Sequence, residues 1–142
     1  MQMQTWRKVW RDGFAPLMDV KKLEALKSAL EQDDPRLVQK ATTNPPPLEH
    51  MLDRKCEGAC AISFCGWSEG LETVGEVEEF FANTCFAADE RMGEPGVCRY
   101  FLNWFDETPR EQMRQELLAE VKRSIKEKRR KFFINIFGKR NE

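Results

Sequence analysis

Histidine is almost absent from this sequence, because His50 is the one histidine among 142 residues. A single histidine excludes H-E-x-x-H and every other site that needs two histidine ligands. It also limits cysteine–histidine catalysis to a thiol that the fold brings next to His50. We therefore expect His50 to be a surface or partly satisfied side chain.

Long apolar segments are missing as well. The chain has no apolar run near the length of about eighteen residues that a membrane helix needs, and its first residues contain no apolar signal-peptide region. The sequence therefore predicts no membrane span and no secretory signal, and we expect a cytoplasmic protein.

Motifs of common enzymes are absent too. The chain contains no phosphate-binding glycine loop and no G-x-S-x-G. The acidic pairs Glu78–Glu79 and Asp89–Glu90 are predicted on the polar, solvated side of a helix, where nothing marks a cleft. The sequence thus predicts a protein that is not an enzyme and that uses no cofactor.

The five cysteines lack the paired C-x-x-C spacing that is typical of zinc sites. Cys56, Cys60 and Cys65 follow a C-x3-C-x4-C pattern, while Cys85 and Cys98 lie farther along the chain. Free cysteine behaves as a small hydrophobe, so we expect reduced thiols in the core and no metal. If a zinc ion or an iron–sulfur cluster is bound, Cys56, Cys60 and Cys65 are the candidate ligands.

What the sequence does contain is helical periodicity, and it predicts an all-α, compact single-domain bundle of about six helices. The strongest pattern begins at Thr73, where Glu76 completes a capping box, and ends at Gly93. Its apolar stripe consists of Val74, Val77, Phe81, Cys85, Ala88 and Met92. We expect this helix to be central.

Other segments repeat the same spacing. The predicted first helix buries Trp6, Trp10 and Phe14, the second begins after Asp19, a short one follows Pro35, and one or two more lie between Leu48 and Trp67. A further helix carries Val97, Phe101, Trp104 and Phe105, and we expect Trp104 to be buried between the central and last helices. The last helix carries Met113, Leu117, Val121 and Ile125.

The C-terminal segment is strongly basic and then aromatic, although the net charge of the chain is only −1. We divide the chain into a helical bundle, residues 1–127, and a basic and aromatic extension, residues 128–142. The predicted partner-binding residues of the extension are Lys128, Arg129, Arg130, Lys131, Phe132, Phe133, Ile136 and Phe137.

Three interpretations of this extension remain open. The last helix could run on and fold its aromatic residues back over the first helix, it could dock on a partner, or it could bind phosphates or a membrane surface. We expect a non-enzymatic intracellular interaction or regulatory protein that acts through protein–protein contacts. The alternatives are a nucleic-acid-binding accessory protein that uses the basic stretch, and a metal or iron–sulfur protein.

Overall fold

The computed structural model describes residues 5–138, without the side chains of residues 137 and 138, and within that range it contains six α-helices and one pair of very short strands. The helices are α1 Trp6–Val9, α2 Val20–Glu31, α3 Ala61–Trp67, α4 Val74–Met92, α5 Cys98–Glu107 and α6 Arg110–Gly138. The strands are β1 Thr43–Asn44 and β2 Gly58–Ala59. The predicted all-α class is confirmed.

The first helix changes its winding before it ends. Thr5 caps α1, and the chain then widens into a π-helical turn over Trp10–Phe14 and tightens into a 3-10 turn over Ala15–Leu17. The N–H of Ala15 donates to the carbonyl of Trp10, and the next residue, Pro16, has no N–H to continue the ladder.

An aromatic cluster fills the core between the N-terminal segment and α5. Phe101 lies at its centre, with ring centroids 5.4 Å from Phe14 and 5.5 Å from Trp10. Trp6, Trp10 and Phe14 are all buried, as their spacing predicts. Trp104 differs from the prediction, because it is only half-buried and stacks on Trp6 at 3.5 Å, against the first helix rather than between the central and last ones.

The capping signals of the sequence place the helix ends correctly. The carboxylate of Asp19 accepts a hydrogen bond from the N–H of Lys22 at the start of α2. Thr73 and Glu76 form the predicted reciprocal capping box of α4, and Gly93 ends that helix in the left-handed region at φ 70°. These hydrogen bonds satisfy backbone groups that have no partner within the helix at its termini.

The segment from Arg36 to Cys60 is where the sequence-based predictions are wrong. No helix follows Pro35, and Leu37 instead bridges to Ala59, while β1 pairs with β2 through Thr43 and Ala59. Between the strands only a 3-10 turn forms, over Glu49–Met51, so the predicted helix from Leu48 shrinks to α3. Long-range hydrogen bonds, which periodicity does not report, hold this segment in place.

The last helix is continuous through residues 127 and 128, the predicted boundary between bundle and extension. It packs along α2. Residues 139–142 of the predicted extension lie outside the described residues. None of the helices within residues 5–138 is both long and apolar enough to cross a membrane.

Candidate functional site

The last helix has a core-facing part that ends where the sequence predicts. Met113, Leu117, Val121 and Ile125 are buried and recur every four residues. Beyond Ile125 every residue through Ile136 is half-buried or exposed. The helix therefore continues beyond its last core position with its hydrogen-bond ladder intact.

Two polar contacts, one buried and one partly buried, fix the position of α6 against the N-terminal segment. The indole N–H of Trp10 donates to Ser124 Oγ at 2.9 Å, and the Arg11 guanidinium donates to both carboxylate oxygens of Glu120 at 2.7 and 2.8 Å. The Arg11 hydrogen bonds hold the pKa of Glu120 below its usual value of 4.5. Bidentate arginine–carboxylate pairs restrict geometry as well as contributing energy, so the start of the extension is well oriented.

The basic residues of the extension form hydrogen bonds and ion pairs with other residues of this chain. Lys128 donates to the carbonyl of Pro16 at 3.3 Å, and Arg129 pairs with Glu24 of α2 at 3.0 Å. Arg130 pairs with Glu127 at 2.8 Å on the same helix, and Lys131 lies 4.0 Å from the same carboxylate. Lys128 and Arg129 thus tie the first turn of the extension to the bundle.

The aromatic part of the extension is exposed, so the interpretation in which it folds back over the first helix is wrong. The exposed fractions are 67% for Phe132, 62% for Phe133 and 42% for Ile136. Ile134, which the sequence analysis did not select, is 50% exposed. The backbone of Phe137 belongs to α6, and its side chain lies outside the described part of the chain. Together these residues form the apolar end of α6.

A fold-back over the first helix would require a break in α6. Helix α6 is unbroken from Arg110 to Gly138 and contains no proline within those bounds. At about 1.5 Å per residue, the thirteen residues after Ile125 extend the helix by about 20 Å. A helix that continues without a break over this length does not reverse its direction to cover the first helix.

The cysteines are all free, and within the described residues no three His, Cys, Asp or Glu side chains are arranged to hold a metal ion. Cys56, Cys60 and Cys65 are buried and donate to three different local acceptors, the carbonyl of Gly58, the hydroxyl of Ser63 and the carbonyl of Ala61 respectively. Burial raises the pKa of all three thiols. They are protonated, packed side chains at neutral pH.

Cys85 and Cys98 meet where α4 and α5 adjoin. The neighbouring thiol of Cys98, together with burial, raises the pKa of Cys85. The Cys85 thiol in turn lowers the pKa of Cys98. Asp89 accepts hydrogen bonds from the backbone N–H groups of Gly96 and Cys98, so this carboxylate organises the turn into α5 and does not belong to a merely solvated face.

Glu78 also differs from the solvated side chain that the sequence analysis expects. It accepts hydrogen bonds from the hydroxyls of Thr42 and Thr43 and so connects α4 to β1. His50 is exposed.

The sequence analysis missed that basic residues of the first helix lie beside α6. Arg7 and Arg11 are four residues apart, and so are Glu116 and Glu120, with which they pair. Matching spacing of opposite charges on two helices is the signal that could have predicted this contact.

Comparison of the chain with protein-family models, with curated protein sequences and with solved structures finds no match.

Proposed function

We propose that this protein is a non-enzymatic, cytoplasmic interaction module that binds another protein through the apolar end of α6. The observation that carries the proposal is the exposure of large apolar side chains, led by Phe132 at 67%, on a helix that continues past its own bundle. Contiguous exposed apolar side chains of this size are typical of interaction sites.

The spacing of these residues favours a helix-in-groove contact. Phe132 and Ile136 are four residues apart and therefore lie one above the other on the helix, and Phe133 widens the same face. Two turns of helix with apolar residues at such spacing can enter an apolar groove of a partner. Ile134 lies on the opposite side of the helix and would face away from such a groove.

The charge next to this face predicts the chemistry of the partner. Seven of the ten residues from 122 to 131 are basic and one, Glu127, is acidic. An apolar groove with an acidic rim complements this helix, and complementary charge raises the rate of association. Parallel contact with α6 of a second copy is disfavoured, because it would bring two basic segments together.

The test compares two doubly substituted variants in which similar apolar side chains are replaced. Phe132→Ser with Ile136→Ser changes the apolar end of α6, and Phe86→Ser with Leu48→Ser changes side chains that are 66% and 51% exposed elsewhere. A partner captured from the host by the wild-type protein is purified and titrated against all three forms. We expect at least a tenfold weaker Kd for the α6 variant and no change for the control.

Equal affinity of all three forms would refute docking through α6. The nucleic-acid alternative gives a different pattern, because single-stranded RNA held by the basic stretch should dissociate steeply as salt rises. Docking through Phe132 and Ile136 depends on apolar burial and should depend much less on salt. Binding of RNA that survives both α6 substitutions but is lost at moderate salt would support the nucleic-acid function instead.

A further inference from the structure

Two adjoining clefts lie between the N-terminal segment and α6, beside the part of α6 that precedes its apolar end. The first has a volume of about 320 Å³, and its lining includes Arg11, Arg91, Arg123, Lys128 and Lys131 together with one acidic residue, Glu127. Its basic side chains come from three parts of the chain, namely the π-helical turn, the last turn of α4 and α6. No single basic motif of the sequence predicts this group.

The second cleft continues the first, since both are lined by Arg11, Arg123, Glu127 and Lys131. Its volume is about 570 Å³, and it adds basic side chains of α1, those of Arg7 and Lys8. Volumes of a few hundred Å³ are typical of sites for small molecules.

The acidic residues nearby do not balance this charge. Arg7 and Arg11 are compensated by Glu116 and Glu120 through ion pairs. Five other basic side chains then face only Asp12 and Glu127 in the two clefts. Glu127 is itself held by Arg130 at 2.8 Å, and Arg130 does not line either cleft.

Both burial and neighbouring charges act on Lys128. The residue is half-buried, and burial lowers its pKa. Asp19 raises the pKa, whereas the charges of Lys131 and Arg91 lower it further. Like charges gathered in a concave surface repel one another, so an anion placed among them is stabilised. A multivalent anion contacts several of these groups at once.

We propose that the two clefts form a binding site for a compact ligand that carries several phosphate groups. Arginine and lysine side chains are the usual donors to phosphate oxygens. No aromatic side chain is among the described residues that line either cleft, so the site offers no platform on which a base could stack. The ligand is therefore a phosphorylated small molecule or the headgroup of a phosphorylated lipid rather than a single-stranded nucleic acid.

The test uses two variants that change the same net charge on the same helix. Arg123→Gln with Lys131→Gln removes cations that line both clefts, and Lys122→Gln with Lys126→Gln removes cations that line neither. All four side chains are exposed, so both variants should fold. Arg91→Gln, on α4, is an independent third variant that changes only the first cleft.

Isothermal titration with inositol hexakisphosphate should show one ligand bound per chain. We expect at least a tenfold loss of affinity for the Arg123 and Lys131 variant, a smaller loss for Arg91→Gln, and less than a twofold change for the Lys122 and Lys126 variant. Equal losses in the two double variants would show diffuse attraction and refute the site, as would an absence of binding by the wild type.

Two further arms identify the source of the phosphates. Vesicles of phosphatidylcholine with phosphatidylinositol bisphosphate are compared with phosphatidylserine vesicles of equal surface charge. Binding that prefers the phosphoinositide and is displaced by inositol hexakisphosphate assigns the site to a lipid headgroup, whereas binding of the soluble probe alone assigns it to a free ligand. Single-stranded RNA that binds more tightly than the probe and displaces it would overturn the proposal.

Discussion

Replacing Gly66 of α3 by alanine tests how tightly α3 packs against α4. A Cβ atom at Gly66 would lie 2.8 Å from Cε1 of Phe80, and closer still to Cγ and Cδ1 of the same ring. Ordinary contacts of a Cβ atom begin near 3.4 Å. The atoms that clash include Cγ, close to the backbone, so rotating the ring does not remove them, and either the ring or one of the helices has to move.

The expected cost follows from two opposing effects. Overpacking of a tight contact costs about 1–3 kcal/mol, while alanine gains about 0.5–1 kcal/mol over glycine within a helix. We therefore expect Gly66→Ala to lower the free energy of unfolding by about 0.5–2 kcal/mol. In a chain of this length each 1 kcal/mol lowers Tm by roughly 2–5 °C.

The assay is urea unfolding followed by circular dichroism, in a double-mutant cycle with Phe80→Ala. Once the ring is absent, Gly66→Ala should become neutral or stabilising, so the coupling free energy between the two positions should exceed about 1 kcal/mol. A Gly66→Ala variant as stable as the wild type, or a loss that persists without the Phe80 ring, would refute the packing argument.

Two further predictions concern the contacts of the first helix. Glu120→Gln should lower the free energy of unfolding by about 1.5–3 kcal/mol at neutral pH, because it removes the charge paired with Arg11. The folded-state pKa of Glu120 lies below 4.5, so this stabilisation is present above pH 4.5 and is lost as the pH falls through the folded-state pKa. Urea unfolding should therefore show that the free energies of unfolding of the wild type and the variant converge in acid. Trp104→Ala should lower the free energy of unfolding by about 2–3 kcal/mol, less than the roughly 3–5 kcal/mol expected for Phe101→Ala. The reason is that Trp104 is only half-buried, so the substitution removes mainly its stack on Trp6. Chemical denaturation of both variants checks this order, and equal losses would contradict it.

Local signals of the sequence are sufficient to predict the helices whose ends are capped by neighbouring residues. The Thr73–Glu76 capping box and Gly93 define α4 within the segment itself, and the four-residue repeat from Met113 to Ile125 defines the buried part of α6. These features depend on contacts a few residues apart, which a single sequence displays.

The segment from Arg36 to Cys60 could not be predicted in the same way, because contacts with distant residues determine it. Gln39 donates to the carbonyls of Phe105 and Thr108, and the backbone N–H of Lys40 donates to Asp106. These partners lie more than sixty residues away along the chain. Helical periodicity carries no information about such bonds, so the parts of the segment that follow Pro35 and Leu48 are wrongly predicted as helix.

Of the two candidate sites, the sequence predicts one and only part of the other. The apolar end of α6 is visible as a cluster of aromatic residues that follows the last core position. The basic clefts depend on the approach of Arg91, at the end of α4, to Lys128 and Lys131 of α6. That approach is a property of the packed helices, and the basic stretch of the C-terminal segment alone predicts only part of it.

The π-helical turn at Trp10–Phe14 sets the rotational phase between two halves of the N-terminal segment. An α-helix turns about 100° per residue, and one residue is accommodated in the wider π turn. Deleting one residue there would restore a uniform α-helix and rotate Trp6 relative to Phe14 by only part of that angle, because the π turn winds less per residue. Trp6 could therefore remain stacked on Trp104 while Phe14 stays packed on Phe101. The widened turn thus makes this stretch tolerant of the loss of one residue, whereas the same deletion in a uniform α-helix would turn the two aromatic side chains apart by about 100°.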